Sequence, residues 1–149
     1  MPNWNSGTLK IRGQKDNVIS TLKEFAPFID VDVDDEMGII SLFSNENKHI
    51  FCGVRRAYCQ QQVADEVYFD SDEEVLVVFS CVEIAWSLLP EHGWLDVSKK
   101  HQIDFRWHGF ERGMQFQQDI EICKGELIKS IEITYDDYKW DCPFPNHGG

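Results

Sequence analysis

Residues 75–86 read VLVVFSCVEIAW, a nearly continuous run of apolar and β-branched side chains. Such a run predicts a central strand that is covered on at least one face. Within this strand we expect Cys81 to be a small buried hydrophobe. The chain has 149 residues, of which 42% are hydrophobic and 13% aromatic, enough to fill one core around this strand. We therefore expect a single domain spanning residues 1–149.

The segment before the central strand predicts a strand followed by a helix. Residues 8–12 alternate apolar and polar side chains and end at Gly13, which is typical of a half-buried strand. From Asp16, a suitable N-cap, apolar residues recur at helical spacing as far as Pro27. Proline disfavours helix at the residue before it, so the helix is expected to end there.

The stretch FIDVDVDDE, residues 28–36, alternates apolar residues with aspartates and predicts a second strand. The period of two places Asp30, Asp32 and Asp34 on one face, about 6.5 to 7 Å apart. The apolar segment 38–43 follows closely, so we expect an edge hairpin that turns near residues 34–37. Charged side chains on an edge strand protect it against aggregation.

After the central strand, Ser87 and Pro90 predict the start of a second helix with a stripe of leucines, and Lys99 and Lys100 suit its C-terminal end. Residues 103–108 alternate as a strand, and residues 114–135 predict a hairpin turning at 124–125. The tail from residue 140 is expected to be loop. This order predicts an α+β, ferredoxin-like antiparallel sheet with two helices on one face and an added C-terminal β-meander.

Several segments in this order are similar to one known family. They are MPNW at residues 1–4, the strand ending in Gly13 with its amphipathic helix, FSCVEIAWS at 79–87, IDFRWHGFERGMQF at 103–116 and the Lys-Gly hairpin. Together they resemble the YubB-like ferredoxin-fold family of phage and plasmid proteins. The resemblance implies the fold and a mobile-element origin. It brings no catalytic residues with it, and Asn5 stands where that family usually has a cysteine.

The charge of the chain is unevenly distributed. The net charge is −12, and residues 30–79 hold 3 basic and 12 acidic residues, a balance of −9. This argues against direct binding to nucleic-acid phosphates, which requires a basic surface. We predict an acidic partner-binding surface made of Asp30, Asp32, Asp34, Asp35 and Glu36, joined by Asp70, Asp72, Glu73 and Glu74. A calcium loop starting at Asp30 would need Gly at its sixth position and an acidic ligand at its twelfth, where this chain has Asp35 and Ser41.

Motifs for other chemistry are weak. The five cysteines include no CxxC pair, the five histidines lack zinc-ligand spacing, and the chain has no GxSxG, P-loop or GxGxxG motif. Cys59 has no neighbouring His in sequence. His108, near Arg106, Glu111 and Arg112, is the most suggestive polar group, and a cleft there would favour a small hydrolase. We expect no cofactor and no metal.

The sequence therefore leads to one functional hypothesis and one plain alternative. In the hypothesis, a non-enzymatic accessory protein binds a basic host or defence protein through its acidic surface, as an inhibitor of the anti-CRISPR type would. In the alternative, the acids serve only solubility. The absence of a basic-then-apolar leader and of long apolar runs favours a protein of the bacterial cytoplasm that binds neither membrane nor nucleic acid directly.

Overall fold

The computed structural model describes residues 2–45, 47–70 and 74–149, and it is a mixed α+β fold whose described strand pairs are all antiparallel. In chain order the elements are β1 Trp4–Gly13, α1 Lys15–Phe25, β2 Asp30–Asp34, β3 Ile39–Phe43, β4 His49–Ile50, β5 Ala57–Cys59, β6 Ala64–Tyr68, β7 Val75–Ala85, α2 Trp94–His101, β8 Asp104–Glu111, β9 Phe116–Cys123, β10 Glu126–Thr134 and α3 Tyr138–Asp141. A seven-stranded sheet has the order β10-β9-β8-β1-β7-β5-β4, and a three-stranded sheet the order β2-β3-β6. Among the described residues, no helix has the length and apolar character needed to cross a membrane.

The core lies between one face of the seven-stranded sheet and the helices α1 and α2. Phe25 of α1 lies 5.8 Å from Trp94 of α2 and 5.4 Å from Phe105 of β8, measured between ring centroids. Trp94 lies 5.2 Å from Phe105, and all three side chains are almost fully buried. Large aromatic side chains dominate the energetics of a core, so this cluster fixes both helices on the sheet. The predicted central strand is confirmed as β7, which lies between β1 and β5.

The predicted hairpin of residues 28–43 is confirmed as β2 and β3, with the turn at residues 35–38. The sequence did not predict that β6 extends this hairpin into a separate sheet. The inner face of the three-stranded sheet joins the main core through Ile40 and Leu42, both buried. Val31 and Val33 of β2 pack against the same core, which leaves the aspartates of β2 on the outer side.

Three predicted boundaries are wrong. β1 begins at Trp4 rather than at residue 8, because it pairs with β7 along its whole length. α1 begins at Lys15 and has Gln14, not Asp16, at the N-cap position. α2 begins at Trp94 rather than near Pro90, since Gly93 has φ of 95° and lies just before the helix.

The prediction that Cys81 is buried is also wrong, and a β-bulge is the reason. Gly7 of β1 pairs with Val82 and Leu9 pairs with Phe79, so two residues of β7 stand opposite Thr8. The extra residue shifts the alternation of β7 by one position, as bulges do. Cys81 is consequently exposed on the face of the sheet away from the helices, while Phe79 and Val82 both stay in the core.

The C-terminal strands β8, β9 and β10 follow one another as the predicted meander, but the tail after them is not all loop. It forms the short helix α3 and then crosses the sheet face away from α1 and α2. The ring of Phe144 lies 5.1 Å from that of Phe110 on β8, and the amide of Gly149 donates to the carbonyl of Trp4 at 2.8 Å.

Candidate functional site

The aspartates of β2 form a row on the outer side of the three-stranded sheet. Asp30, Asp32 and Asp34 are exposed, whereas Val31 and Val33 between them are half-buried. The strand geometry therefore places three carboxylates on one face at about 6.5 to 7 Å intervals, as the alternation predicted. One oxygen of Asp34 also accepts the backbone amide of Met37 at 3.0 Å, which orders the following turn.

The neighbouring strands add a fourth acid and two exposed aromatic side chains to this row. Directly opposite residues of an antiparallel pair share one face of a sheet. Asp32 therefore shares its face with Ser41 and, one strand further, with Glu66. By the same rule Phe43, 45% exposed, and Tyr68, 71% exposed, lie on this outer side. We name this surface the carboxylate face: Asp30, Asp32, Asp34 and Glu66 together with Phe43 and Tyr68.

The carboxylate face has no internal counter-charge. The strands β2, β3 and β6 contain no lysine or arginine. Within the described residues, none of its four acids forms an ion pair. The hydroxyl of Tyr68 donates a hydrogen bond to Glu66, with 3.3 Å between the oxygen atoms. Aromatic residues such as Phe43 and Tyr68 are enriched in protein-binding surfaces.

The turn after β2 is less acidic than its sequence suggests. The ammonium group of Lys15 lies 2.7 Å from a carboxylate oxygen of Asp35 and 4.9 Å from the ring centroid of Phe69. The hydrogen bond to Asp35 raises the pKa of Lys15. Glu36 and Asp70 line the same depression, of about 360 Å³, beside Lys15. Asp35 is thus neutralised in part, whereas Glu36 and Asp70 form no ion pair with any residue that the structure describes.

The remaining three predicted acids are not part of the carboxylate face as the structure describes it. Glu74 lies 3.2 Å from the guanidinium of Arg12 and so belongs to the ion pairs of the large sheet, not to the carboxylate face. Asp72 and Glu73 lie outside the described residues. The structure therefore brings together three of the nine predicted acids on one face, and adds Glu66.

The open face of the seven-stranded sheet, on the side away from α1 and α2, shows the opposite arrangement, because its charges are paired. Arg106 lies 2.8 Å from Asp119 and 2.8 Å from Glu121, and Lys129 lies 2.6 Å from Asp119. Arg12 lies 3.0 Å from Asp104. Cations and carboxylates on this face compensate one another, so it gives neither a basic surface for nucleic acid nor a strongly acidic one.

The structure keeps Arg106 beside His108, where both lie close to Asp119, but separates Glu111 and Arg112 from it. His108 lies on the open face, 3.3 Å from Asp119, and burial lowers its pKa although Asp119 opposes the shift. Glu111 is fully buried and accepts the backbone amides of Gly113 and Met114 at 2.7 and 2.6 Å, so it organises the turn between β8 and β9. Arg112 is exposed, and Gly149 of the tail lies beside its guanidinium.

A serine, a histidine and a glutamate meet elsewhere, between α1 and α2. Ser20 Oγ lies 3.2 Å from Nδ1 of His101, and Nε2 of His101 lies 2.8 Å from Glu24. Lys100 also donates to Glu24, and these bonds from Lys100 and His101 lower the pKa of Glu24. A hydrolase of this type needs a substrate cavity at the nucleophile. The adjacent depression of about 390 Å³ is lined by Glu24 and His101 but not by Ser20, so the arrangement is best explained as a tie between two helices.

All five cysteines are free thiols. Cys59 is buried, and this burial raises the pKa of its thiol. Burial also raises the pKa of Cys123 to about 11, with nearby Asp104 adding to the shift. These shifts oppose thiolate formation, and a thiolate is the reactive form of cysteine. Among the described residues, no three His, Cys, Asp or Glu side chains are grouped to hold a metal ion.

Sequence reasoning missed Glu66, Phe43 and Tyr68, because a separate sheet brings them beside β2. Residues 64–68 read ADEVY, which does not alternate apolar and polar side chains, so the segment gave no clear strand signal. A scan of the chain against protein-family models, a search of curated proteins and a search of solved structures each found no match.

Proposed function

We propose that this protein binds a basic surface of another protein through the carboxylate face. The observation that carries the proposal is a face with four carboxylates, no lysine or arginine on its strands, and two exposed aromatic rings, Phe43 opposite Asp30 and Tyr68 on the edge strand β6. Exposed carboxylates steer a cationic partner over a long range, and exposed aromatic rings are typical anchors once contact is made. A protein that needed its acids only for solubility would have no need to place them on one face with exposed aromatic side chains.

The class of partner follows from the spacing of the charges. A row of carboxylates at about 6.5 to 7 Å intervals, with the fourth two strands away, presents a pattern of negative charge to a groove that is lined by Lys and Arg. Such a groove is typical of proteins that bind nucleic acid. We propose that the carboxylate face occupies a groove of this type in a host or defence protein and thereby inhibits it.

The proposal extends to the origin of the protein. The strands β8-β1-β7-β5, with α1 between β1 and β5 and α2 between β7 and β8, follow the order of a ferredoxin-like sheet. This order supports membership of the YubB-like family, and the meander β8-β9-β10 supports the added C-terminal part. An accessory protein of a phage or plasmid, acting in the bacterial cytoplasm, is consistent with an inhibitory role.

The test compares two variants of equal charge. In the first, Asp30→Asn, Asp32→Asn, Asp34→Asn and Glu66→Gln neutralise the carboxylate face, and the amide side chain introduced at position 34 keeps an oxygen for the amide of Met37. In the control, four exposed acids elsewhere are replaced: Asp16→Asn, Glu91→Gln, Glu126→Gln and Asp136→Asn. Each protein is immobilised and incubated with nuclease-treated bacterial lysate at low and high salt, and bound proteins are identified by mass spectrometry.

We expect the wild type and the control to retain the same basic proteins at low salt, and the first variant to lose them. Addition of a nucleic-acid oligonucleotide should displace these partners from the wild type, because both ligands would occupy one groove. Equal retention by both variants would refute a role for the carboxylate face. Retention that the oligonucleotide does not affect would refute occupation of a nucleic-acid groove.

A further inference from the structure

A depression at the end of β8, β9 and β10 has a lining that differs from the rest of the surface. It has a volume of about 370 Å³ and is lined by Trp86, Ser87, Glu111, Met114, Phe116, Glu132 and Thr134. Two of these residues carry aromatic rings, one carries a thioether and two carry carboxylates, and none is basic. It shares no residue with the carboxylate face, so what it binds is a separate question from the proposed function.

The backbone of Trp86 is held in an unusual conformation. Its φ of 66° lies in the left-handed region, which a bulky side chain rarely adopts. The conformation is fixed by hydrogen bonds on both sides, from the amide of Trp86 to the carbonyl of Asn3 at 2.8 Å and from the amide of Ala85 to the carbonyl of Arg56 at 3.1 Å. The indole nevertheless stays 51% exposed. Strained residues of this kind cluster at binding sites, because the strain persists where the surroundings impose it.

The floor of the depression carries an uncompensated acid. Glu111 is fully buried, and its carboxylate accepts two backbone amides but has no ion-pair partner within the described part of the chain. Because Glu111 is buried and both its oxygens already accept amides, it acts on the depression through its charge and not through a direct hydrogen bond. Glu132 of the edge strand β10 is exposed on the rim and has no ion pair there either. Lys129, the lysine of β10, is bonded to Asp119 on the opposite side of the sheet.

Exposed apolar side chains surround these acids. Met114 is 64% exposed, and Phe116 is half-buried and pairs with both Glu111 and Thr134 in the sheet. A planar cation that is weakly hydrated can stack on an aromatic ring and donate to carboxylates at its edge, and a guanidinium has both properties. An ammonium group would meet the charges but would not use the rings in this way.

We propose that the depression lined by Trp86, Glu111, Met114, Phe116 and Glu132 binds the guanidinium group of an arginine side chain of a partner protein. The guanidinium stacks on Trp86 and Phe116 and donates to Glu132 on the rim, and the negative charge of Glu111 beneath the lining attracts it without direct contact. A free guanidinium compound would show the same chemistry, so the test includes both sources. The binding does not depend on the carboxylate face.

The probes are Nα-acetyl-arginine amide, its neutral isostere Nα-acetyl-citrulline amide, free agmatine, and a short peptide that contains one arginine flanked by glycines. Binding is followed by chemical-shift changes in the amide NMR spectrum of the full chain. The variants are Glu132→Gln, and Trp86→Asn, since asparagine tolerates the left-handed conformation and removes the ring. The controls are Glu126→Gln on the same strand and Trp140→Phe, whose indole is 85% exposed away from this lining. The fold of each variant is checked from the spectrum itself.

We expect acetyl-arginine amide and the peptide to shift the amides of residues 86–87 and 111–116, and the citrulline isostere to bind at least about tenfold more weakly. Glu132→Gln and Trp86→Asn should each weaken binding by about tenfold with the fold retained, and the controls should leave it unchanged. Equal binding of the arginine and citrulline probes would overturn the proposal, as would shifts confined to other residues. Tighter binding of agmatine than of the peptide would overturn the assignment to a protein side chain.

Discussion

Replacement of Gln118 by leucine should expose how strongly one buried amide holds the connection between β7 and α2 to the sheet. The side chain of Gln118 lies on the core face of β9 and is 6% exposed. Its carbonyl oxygen accepts Nδ2 of Asn5 at 2.7 Å and the backbone amide of Leu88 at 2.9 Å. Its amide group donates to the carbonyl of Leu88 at 3.2 Å. Asn5, on β1, is also fully buried.

The expected loss in the free energy of unfolding follows from the buried polar groups that the substitution leaves without a partner. Leucine fills a similar volume but leaves the Asn5 amide and both backbone groups of Leu88 without a partner. A buried polar group that loses its partner costs roughly 1–3 kcal/mol. At about 1.5 kcal/mol each, three such groups lower the free energy of unfolding by about 4.5 kcal/mol. The burial of an apolar side chain returns about 1.5 kcal/mol. We therefore expect the free energy of unfolding to fall by about 3 kcal/mol.

The assay is urea unfolding followed by far-ultraviolet circular dichroism. With a slope of about 2 kcal/mol per molar urea, typical of a domain of this size, the midpoint should fall by about 1.5 M. The matched control is Gln117→Leu, which removes a single hydrogen bond from the hydroxyl of Tyr135 on the half-buried open face and should cost less than about 1 kcal/mol. A midpoint for Gln118→Leu equal to that of Gln117→Leu would refute the reasoning.

Two further predictions concern a glycine and a histidine. Gly93→Ala should lower the free energy of unfolding by about 2 kcal/mol or more in the same urea assay, because φ is 95° and a Cβ there would clash with the carbonyl oxygen of Gly53; an unchanged midpoint would contradict this. Burial lowers the pKa of His108 below its ordinary value of 6.5, so the unfolded chain takes up a proton that the folded protein resists. The contribution of His108 to the free energy of unfolding is therefore present above pH 6.5 and is lost as the pH falls towards the pKa of His108 in the folded protein. His108→Gln should flatten this part of the plot of unfolding free energy against pH. Profiles of the same slope for the variant and the wild type would contradict the assignment.

The sequence predicted best where a single strand or helix determined the pattern. The alternation in residues 30–34 predicted both the strand and the side of its aspartates, because the period of a strand is a local property. The run from Val75 predicted the central strand for the same reason. The exposure of Cys81 depended on a bulge opposite Thr8, and two strands that are far apart in sequence create that bulge. No pattern within β7 alone indicates it.

The candidate site was predictable only in part, since its other half comes from a pairing between distant segments. β3 brings β6 beside β2, and this pairing adds Glu66 and the ring of Tyr68 to the row of aspartates. The predicted contribution of Asp35 was overestimated for the same reason, because Lys15, on a different element, partly neutralises it. Counting acids along a chain measures charge, but the ion pairs of the fold decide which of them face a partner unpaired.

The distribution of ion pairs also means that the salt dependence of docking shows whether the carboxylates or the aromatic rings of the carboxylate face are responsible for binding. At physiological ionic strength the screening length is about 8 Å, slightly more than the distance between neighbouring aspartates on β2. The electrostatic fields of neighbouring carboxylates therefore add, and the whole row attracts a cationic partner. At about 1 M salt the screening length is about 3 Å, and each carboxylate is screened from the next. An interaction that depends on the carboxylates must therefore weaken steeply over this range. An interaction that persists at the higher salt concentration would depend instead on the exposed rings of Phe43 and Tyr68, and alanine at these two positions would abolish it while neutralisation of the acids would not.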